Sequence, residues 1–348
     1  MPGPGVTRVV LVDDSATVRA VLRRLFARSG DIEVIGEAAD GEAAVELVVA
    51  LRPDLVLMDI EMPRLDGFGA TERIMAVRPT PILVLSSRAN RDQMQTSFEA
   101  LKRGALEVLA KPEEPSGWDR LARTLPETVR FLAGQRPKPA RTSTESAPPP
   151  IRPGASREIR WVALGASTGG PGAIQAFLAS LPADLPVTTL VVQHIAAGFE
   201  EGFAEWLARE LHRDVQVATD GESGREGAVR VAPAGAHLRL TPAGMLRVDS
   251  LTPPRHGHRP SVDELFLSCA EAAPRETAGV LLTGMGADGA EGLAALRRAG
   301  GLTMVQDEAT SVVFGMPRAA IERGAAEFVL PPRALAAALA GWSRAGRP

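Results

Sequence analysis

Residues 162–172 read "VALGASTGGPG". An apolar run enters this stretch and stops at Ser167, and glycines follow at 169, 170 and 172. A buried run that ends in a glycine turn and leads into a helical pattern is the building unit of a parallel α/β sheet. Two chemical readings of the turn go further. A phosphate cradle is disfavoured, because the stretch lacks the Gly-Lys-Ser/Thr ending of a P-loop and does not fit G-x-G-x-x-G. Residues 165–169 do fit G-x-S-x-G, the turn that exposes the nucleophile of α/β-hydrolases.

The pattern recurs on both sides. "RWVALGAS", "TTLVVQHI" and "AGVLLTGM" are apolar runs that each lead through glycines into a helical pattern. In the first half, "RVVLVDD", "IEVIGEA", "PDLVLMDI", "TPILVLSS" and "LEVLA" alternate with amphipathic segments. In "TVRAVLRRLFARSG", Val18, Val21, Leu22, Leu25 and Phe26 form one face, and Gly30 ends it. Residues 1–133 are therefore expected to form a flavodoxin-like (βα)5 domain, and residues 158–348 a second, doubly wound α/β domain. Residues 134–157 hold six prolines and no aromatic, which predicts a flexible linker.

Composition narrows the class. The 348 residues are 45% apolar and 23% charged, with a net charge of -3. That balance implies no strong affinity for nucleic acid or an anionic membrane. No apolar run approaches the ~18 residues of a membrane span, and the N-terminus is unlike a signal peptide. Cys269 is the single cysteine, so no internal disulfide forms. A reducing, cytoplasmic setting is expected, with Cys269 as buried filler in "ELFLSCA".

Ligands of open α/β sheets sit beyond the carboxyl ends of the strands. In the first half those ends carry Asp13 and Asp14, Asp59, Ser86 and Ser87, and then Lys111 before Pro112. Clustered carboxylates repel unless a cation neutralises them, and oxygen ligands favour Mg²⁺. A divalent ion beside an aspartate and a lysine is a phosphoryl-transfer arrangement. In the second half the ends deliver Ser167, His194 and, after a glycine turn, Asp288. A histidine steadied by a carboxylate activates a serine hydroxyl, and the "GMG" turn at 284–286 can supply an oxyanion donor. The order Ser, His, acid differs from the Ser, acid, His order of α/β-hydrolases, which argues against that fold. Of the other histidines, His212 reads as a surface residue and His237 as structural. His256 and His258 hint at a metal, but no further ligand cluster accompanies them.

"LVDDS", "MDIEMPRLDGF", "LSS" and "AKP" resemble the receiver domain of two-component response regulators. The resemblance implies that Asp59 accepts a phosphoryl group from a histidine kinase. It implies Mg²⁺ held by Asp14, Asp59 and the Glu61 carbonyl with Asp13 assisting, and phosphoryl contacts from Ser86 and Lys111. Val108 stands where receivers usually carry an aromatic switch residue, and the stretch from Ser86 to Lys111 is slightly long. "GASTGGP", "VVQHIAAGF", "VAPAGAHL", "HRPSVDELF", "LLTGMGADGAEGL" and "QDEATSVVFGMPRAAI" resemble the catalytic domain of the CheB family, chemotaxis response regulators with protein-glutamate methylesterase activity.

That resemblance implies a Ser167–His194–Asp288 triad, an oxyanion contact at Met285 and a neighbouring hydroxyl at Thr168. It implies hydrolysis of glutamate γ-methyl esters on chemoreceptor cytoplasmic helices, possible deamidation of receptor glutamines, and phosphorylation by a CheA-type kinase. The receiver is expected to gate the esterase. The esterase chemistry itself is expected to need no metal. A non-motility chemosensory pathway and a non-catalytic scaffold are the alternatives. A DNA-binding regulator is disfavoured, because the second half shows no basic recognition helix.

Overall fold

The computed structural model describes residues 5–86, 97–112, 114–135 and 158–345. The chain forms two compact units, residues 1–143 and 144–348. The expected linker from 136 onward lies outside the described residues, as do Ser87 and residues 88–96.

In the first unit, β1 (Thr7–Val12), β2 (Ile32–Ala38), β3 (Leu55–Asp59), β4 (Ile82–Ser86) and β5 (Glu107–Ala110) form one parallel sheet. Its order is β2-β1-β3-β4-β5, which is the flavodoxin-like order. Val9, Val10, Leu11, Val56 and Leu57 are fully or almost fully buried, as near-continuous apolar strands covered on both faces should be. Helix α1 (Ala16–Ser29) starts at Ser15, whose hydroxyl accepts the Val18 N–H. It stops at Gly30, which takes the left-handed conformation at φ 75°. Leu22, Leu25 and Phe26 of its apolar face are buried, while Val18 and Val21 are half-buried. Helices α2 (Gly41–Leu51), α3 (Gly67–Val77), α4 (Glu99–Lys102) and α5 (Pro115–Ala133) complete the described part of this unit.

The second unit is built on a seven-stranded parallel sheet in the order β14-β13-β12-β6-β7-β9-β8. The strands are β6 (Trp161–Ala166), β7 (Thr188–Gln193), β8 (Val215–Val217), β9 (Val229–Val231), β12 (Thr277–Leu281), β13 (Leu302–Gln306) and β14 (Phe328–Leu330). The chain leaves β6 on one side through β7, β8 and β9, and later returns at β12 on its other side. The ends of β6 and β12 therefore border the topological switch point. A separate antiparallel hairpin, β10 (His237–Leu240) with β11 (Leu246–Asp249), leads into helix α8 (Val262–Ala272). The sequence reading did not anticipate this hairpin.

Helix α8 lies directly on β6, because a Cβ at Gly165 would come 2.1 Å from a Val262 methyl. Trp161, Leu190, Val262, Phe266, Leu281 and Leu293 belong to the core beneath it. Helices α6 (Gly170–Ser180), α7 (Glu200–Leu211), α9 (Ala290–Arg298), α10 (Met316–Glu322) and α11 (Pro332–Ala345) cover the sheet. Among the described residues, no helix is long and apolar enough to cross a membrane.

Candidate functional site

Parallel pairing of β6 and β7 puts Ala166 opposite Gln193. The His194 N–H donates to the Ala166 carbonyl at 3.0 Å. Ser167 and His194 are thereby the first residues beyond two adjacent strand ends. From the other side of β6, the Thr283 carbonyl accepts the Ser167 N–H at 3.0 Å. The Thr283 hydroxyl reaches the Thr168 carbonyl at 3.0 Å. A Cβ on Gly284 would sit 2.8 Å from the Ser167 Cβ, so only glycine allows this approach. Met285, half-buried, follows at once.

Asp288 closes the set. Its Oδ2 lies 2.9 Å from His194 Nε2. With a carboxylate as acceptor, Nε2 is assigned the proton, which leaves the lone pair on Nδ1. Nδ1 is buried and has no hydrogen-bond partner among the described residues. The carboxylate also accepts the Ser261 hydroxyl at 2.8 Å and the N–H groups of Val262 at 2.8 Å and Asp263 at 3.0 Å. It thus sits on the N-terminus of α8, where orphan amides favour an anion. Burial pushes its pKa up, but the His194 hydrogen bond and charge and the two amides outweigh this and hold it well below the usual carboxylate range.

Sequence reading missed the groups that hold the acid. Ser261 and Glu264 form an S-x-x-E pattern, a capping-box signal that could have marked the start of α8. Only half of the box forms. The Ser261 hydroxyl accepts the Glu264 N–H, but the Ser261 N–H goes to His237 Nδ1 at 3.2 Å. His237 is fully buried and its Nε2 donates to the Pro253 carbonyl at 3.1 Å, so it is structural, as expected.

The "HGH" pair takes two different roles. The His258 ring stacks on His194, with centroids 3.9 Å apart and planes 4° from parallel. Burial, with the neighbouring His194, lowers the His258 pKa to about 4. His256 instead faces Asp263 at 3.6 Å and Glu291 at 4.0 Å. This corrects the expectation that no ligand cluster accompanies these histidines. An Arg255 guanidinium nitrogen lies 2.9 Å from Glu291, so the cluster already holds a cation. His212 is exposed, and Cys269 is fully buried with its thiol pushed up to about 12 by burial.

In the first unit, the switch-point strands β1 and β3 end beside Asp13 and Asp59, both buried, with Asp14 exposed next to them. Carboxylate oxygens of the three lie within 4.8 Å of one another. Lys111 Nζ is 2.7 Å from both Asp13 and Asp59. Burial, with a smaller push from Asp13, raises the Asp59 pKa to about 6 against the pull of Lys111. An all-oxygen set this close suits Mg²⁺. Glu61 is exposed in the loop after β3. The Ser86 hydroxyl is 2.5 Å from that of Ser97, a buried partner that sequence reading missed. Val108 is buried within β5.

The two units define a response regulator whose second unit is a parallel α/β domain with serine, histidine and aspartate gathered at its switch point. The family description "CheB methylesterase" matches residues 162–339, and "Response regulator receiver domain" matches residues 9–120. The chain belongs to the CheB methylesterase family. It is 43% identical to "Protein-glutamate methylesterase/protein-glutamine glutaminase 4" of Geobacter metallireducens, covering 96% of this chain and 98% of that protein. It is 46% identical to "Protein-glutamate methylesterase/protein-glutamine glutaminase 3" of Anaeromyxobacter dehalogenans, covering 97% and 99%. The crystal structure of the Thermotoga maritima CheB methylesterase catalytic domain matches with a TM-score of 0.51 and 35% identity, over 53% of this chain and 98% of that one.

Proposed function

We propose that this chain is a phosphorylation-regulated serine esterase that hydrolyses glutamate γ-methyl esters on chemoreceptors in chemosensory adaptation. The observation that carries the reading is the buried His194–Asp288 pair at the strand end next to Ser167. The Ser167 hydroxyl attacks the ester carbonyl while His194 Nδ1 takes its proton. Asp288 stabilises the resulting imidazolium. The N–H of Met285, which follows the Gly284 turn packed on Ser167, would donate to the oxyanion. The tetrahedral adduct collapses, the C–O bond to the methoxy group breaks, and His194 returns the proton, so methanol leaves. Water then attacks the acyl-enzyme under the same base and frees the glutamate side chain. Deamidation of a receptor glutamine would use the same steps, with ammonia leaving.

In the receiver unit, Asp59 is the acceptor of a phosphoryl group from a CheA-type histidine kinase. Asp13, Asp14, Asp59 and the Glu61 carbonyl would hold Mg²⁺, which neutralises the developing charge during transfer. Ser86 and Lys111 would contact the phosphoryl oxygens, and the new charge regulates Ser167. The chain would act in the cytoplasm, on receptor helices presented there, without entering the membrane or binding nucleic acid. The division at 134–157 separates the two activities.

The test is methanol release from methylated receptor membranes by the full chain, with and without a small phosphodonor. A higher rate with the donor, its loss in Asp59→Asn and no turnover in Ser167→Ala are expected. Full turnover in Ser167→Ala would falsify the nucleophile.

A further inference from the structure

Gln193 closes β7 and is 3% exposed. Its Nε2 donates to the Ser167 carbonyl at 2.8 Å and to the His194 carbonyl at 2.9 Å. One amide group therefore ties the residue just after β6 to the residue just after β7, and both its hydrogens are used. Exchanging its oxygen and nitrogen would set three carbonyl oxygens against one another, so the orientation is fixed. The opposite side of the group is different: Oε1 is buried and has no hydrogen-bond partner among the described residues. A buried acceptor without a partner is destabilising, a cost set against the two hydrogen bonds that Nε2 makes. The backbone also makes room for it, because a Cβ on Gly170 would lie 2.0 Å from Oε1. Gly170, in turn, donates its own N–H to the Ser167 carbonyl at 2.7 Å.

We propose that Gln193 is a positioning residue for the esterase chemistry, whose two N–H groups set the spacing between the Ser167 hydroxyl and His194 Nδ1. This rests on the roles given to Ser167 and His194 above. Gln193 touches no reacting atom and acts through both backbones. A misplacement of about 1 Å between nucleophile and base costs ~100-fold in rate.

The experiment labels Ser167 in the full chain with a fluorophosphonate, which reports a serine activated by its base, and measures methanol release in parallel. Gln193→Met keeps the length and removes both donors. Labelling and kcat are expected to fall together by about tenfold or more, with KM unchanged. In a His194→Ala background the same substitution should add nothing, because the spacing it sets no longer matters. Labelling within about twofold of the parent, or an equal further loss without His194, would overturn the proposal. Should Gln193→Met not fold, Gly170→Ala pushes on the same carboxamide and is judged on the same scale. A parent chain that is not labelled at Ser167 would overturn the esterase reading itself, independently of any Gln193 variant.

Discussion

Asp288, just before α9, binds amides at the start of α8, and Asp263, in the first turn of α8, binds an amide at the start of α9. The Asp288 carboxylate accepts the Asp263 N–H at 3.0 Å in the first turn of α8, and the Asp263 carboxylate accepts the Gly292 N–H at 2.7 Å in the first turn of α9. The exchange locks the two helix starts together at the mouth of the switch point. It gives Asp288, the acid of the proposed triad, a scaffold that does not depend on His194. Four predictions follow from this arrangement and from the geometry around it.

Asp288→Asn should lower kcat by roughly 10³- to 10⁴-fold, since removing the orienting carboxylate of a triad has about that effect elsewhere. Ser261→Ala removes one hydrogen bond to the acid and the cap of α8, and should cost about tenfold in kcat and ~1 kcal/mol in stability. Initial rates and thermal midpoints check both. A Ser261→Ala loss as large as that of Asp288→Asn would contradict the ranking.

Chelation should separate the two sites. EDTA is expected to abolish phosphorylation of Asp59 by a small phosphodonor, and added Mg²⁺ to restore it, because the acid cluster suits that ion. Ser167 labelling by a fluorophosphonate, in chain that has not been phosphorylated, should be unchanged. Parallel loss of both signals would tie the metal to the esterase instead.

Gly284→Ala should cost about 1–3 kcal/mol, the usual range for an overpacked methyl group. The new Cβ would meet the Met316 sulfur at 2.1 Å and the Ser167 Cβ at 2.8 Å. Melting temperature and labelling rate should drop together. Wild-type labelling in a destabilised variant would show that the serine does not depend on this contact.

The His258–His194 stack has a pH signature. His258 has a folded pKa near 4, below the 6.5 expected in the unfolded chain. Between those values the unfolded chain binds the extra proton, so this group's contribution to stability is lost as pH falls from about 6.5 through about 4. Asp263, raised to about 6 mainly by burial, acts in the opposite direction. Its folded form keeps a proton between about 3.8 and 6, so its contribution is lost as pH rises through that window. His258→Phe keeps a ring on His194 and removes only the first effect. Its melting temperature relative to the parent should therefore rise as pH is lowered from 7 to 4.5. A constant difference across that range would refute the assignment.

Much of this was legible in the chain. The parallel strands were readable because strands covered on both faces are continuous apolar runs, and the site residues because α/β sheets place ligands at strand ends. Ser167, His194 and Asp288 could thus be named before any geometry was known. What stayed hidden was held by partners remote in sequence. Nothing local says that Gln193 turns its amide onto two carbonyls, or that His237 replaces Glu264 at the Ser261 N–H. The stack of His258 on His194 depends on a loop path that no periodicity encodes. The hairpin at 237–249 was missed because its strands are only four residues each.

The strand order has a consequence for how the protein is made. Strands β6 and β7, which lead into Ser167 and His194, are synthesised and can pair while more than a third of the chain is still to be made. Asp288, the strand β12 that leads to it and the Thr283 carbonyl that fixes the serine come much later. On the roles proposed above, a nascent or prematurely terminated chain would carry Ser167 and His194 without Asp288. Hydrolytic competence would then arrive only with β12, when the half-sheet begun at β6 gains its second flank. Truncated products of this gene would be inert toward esters rather than unregulated.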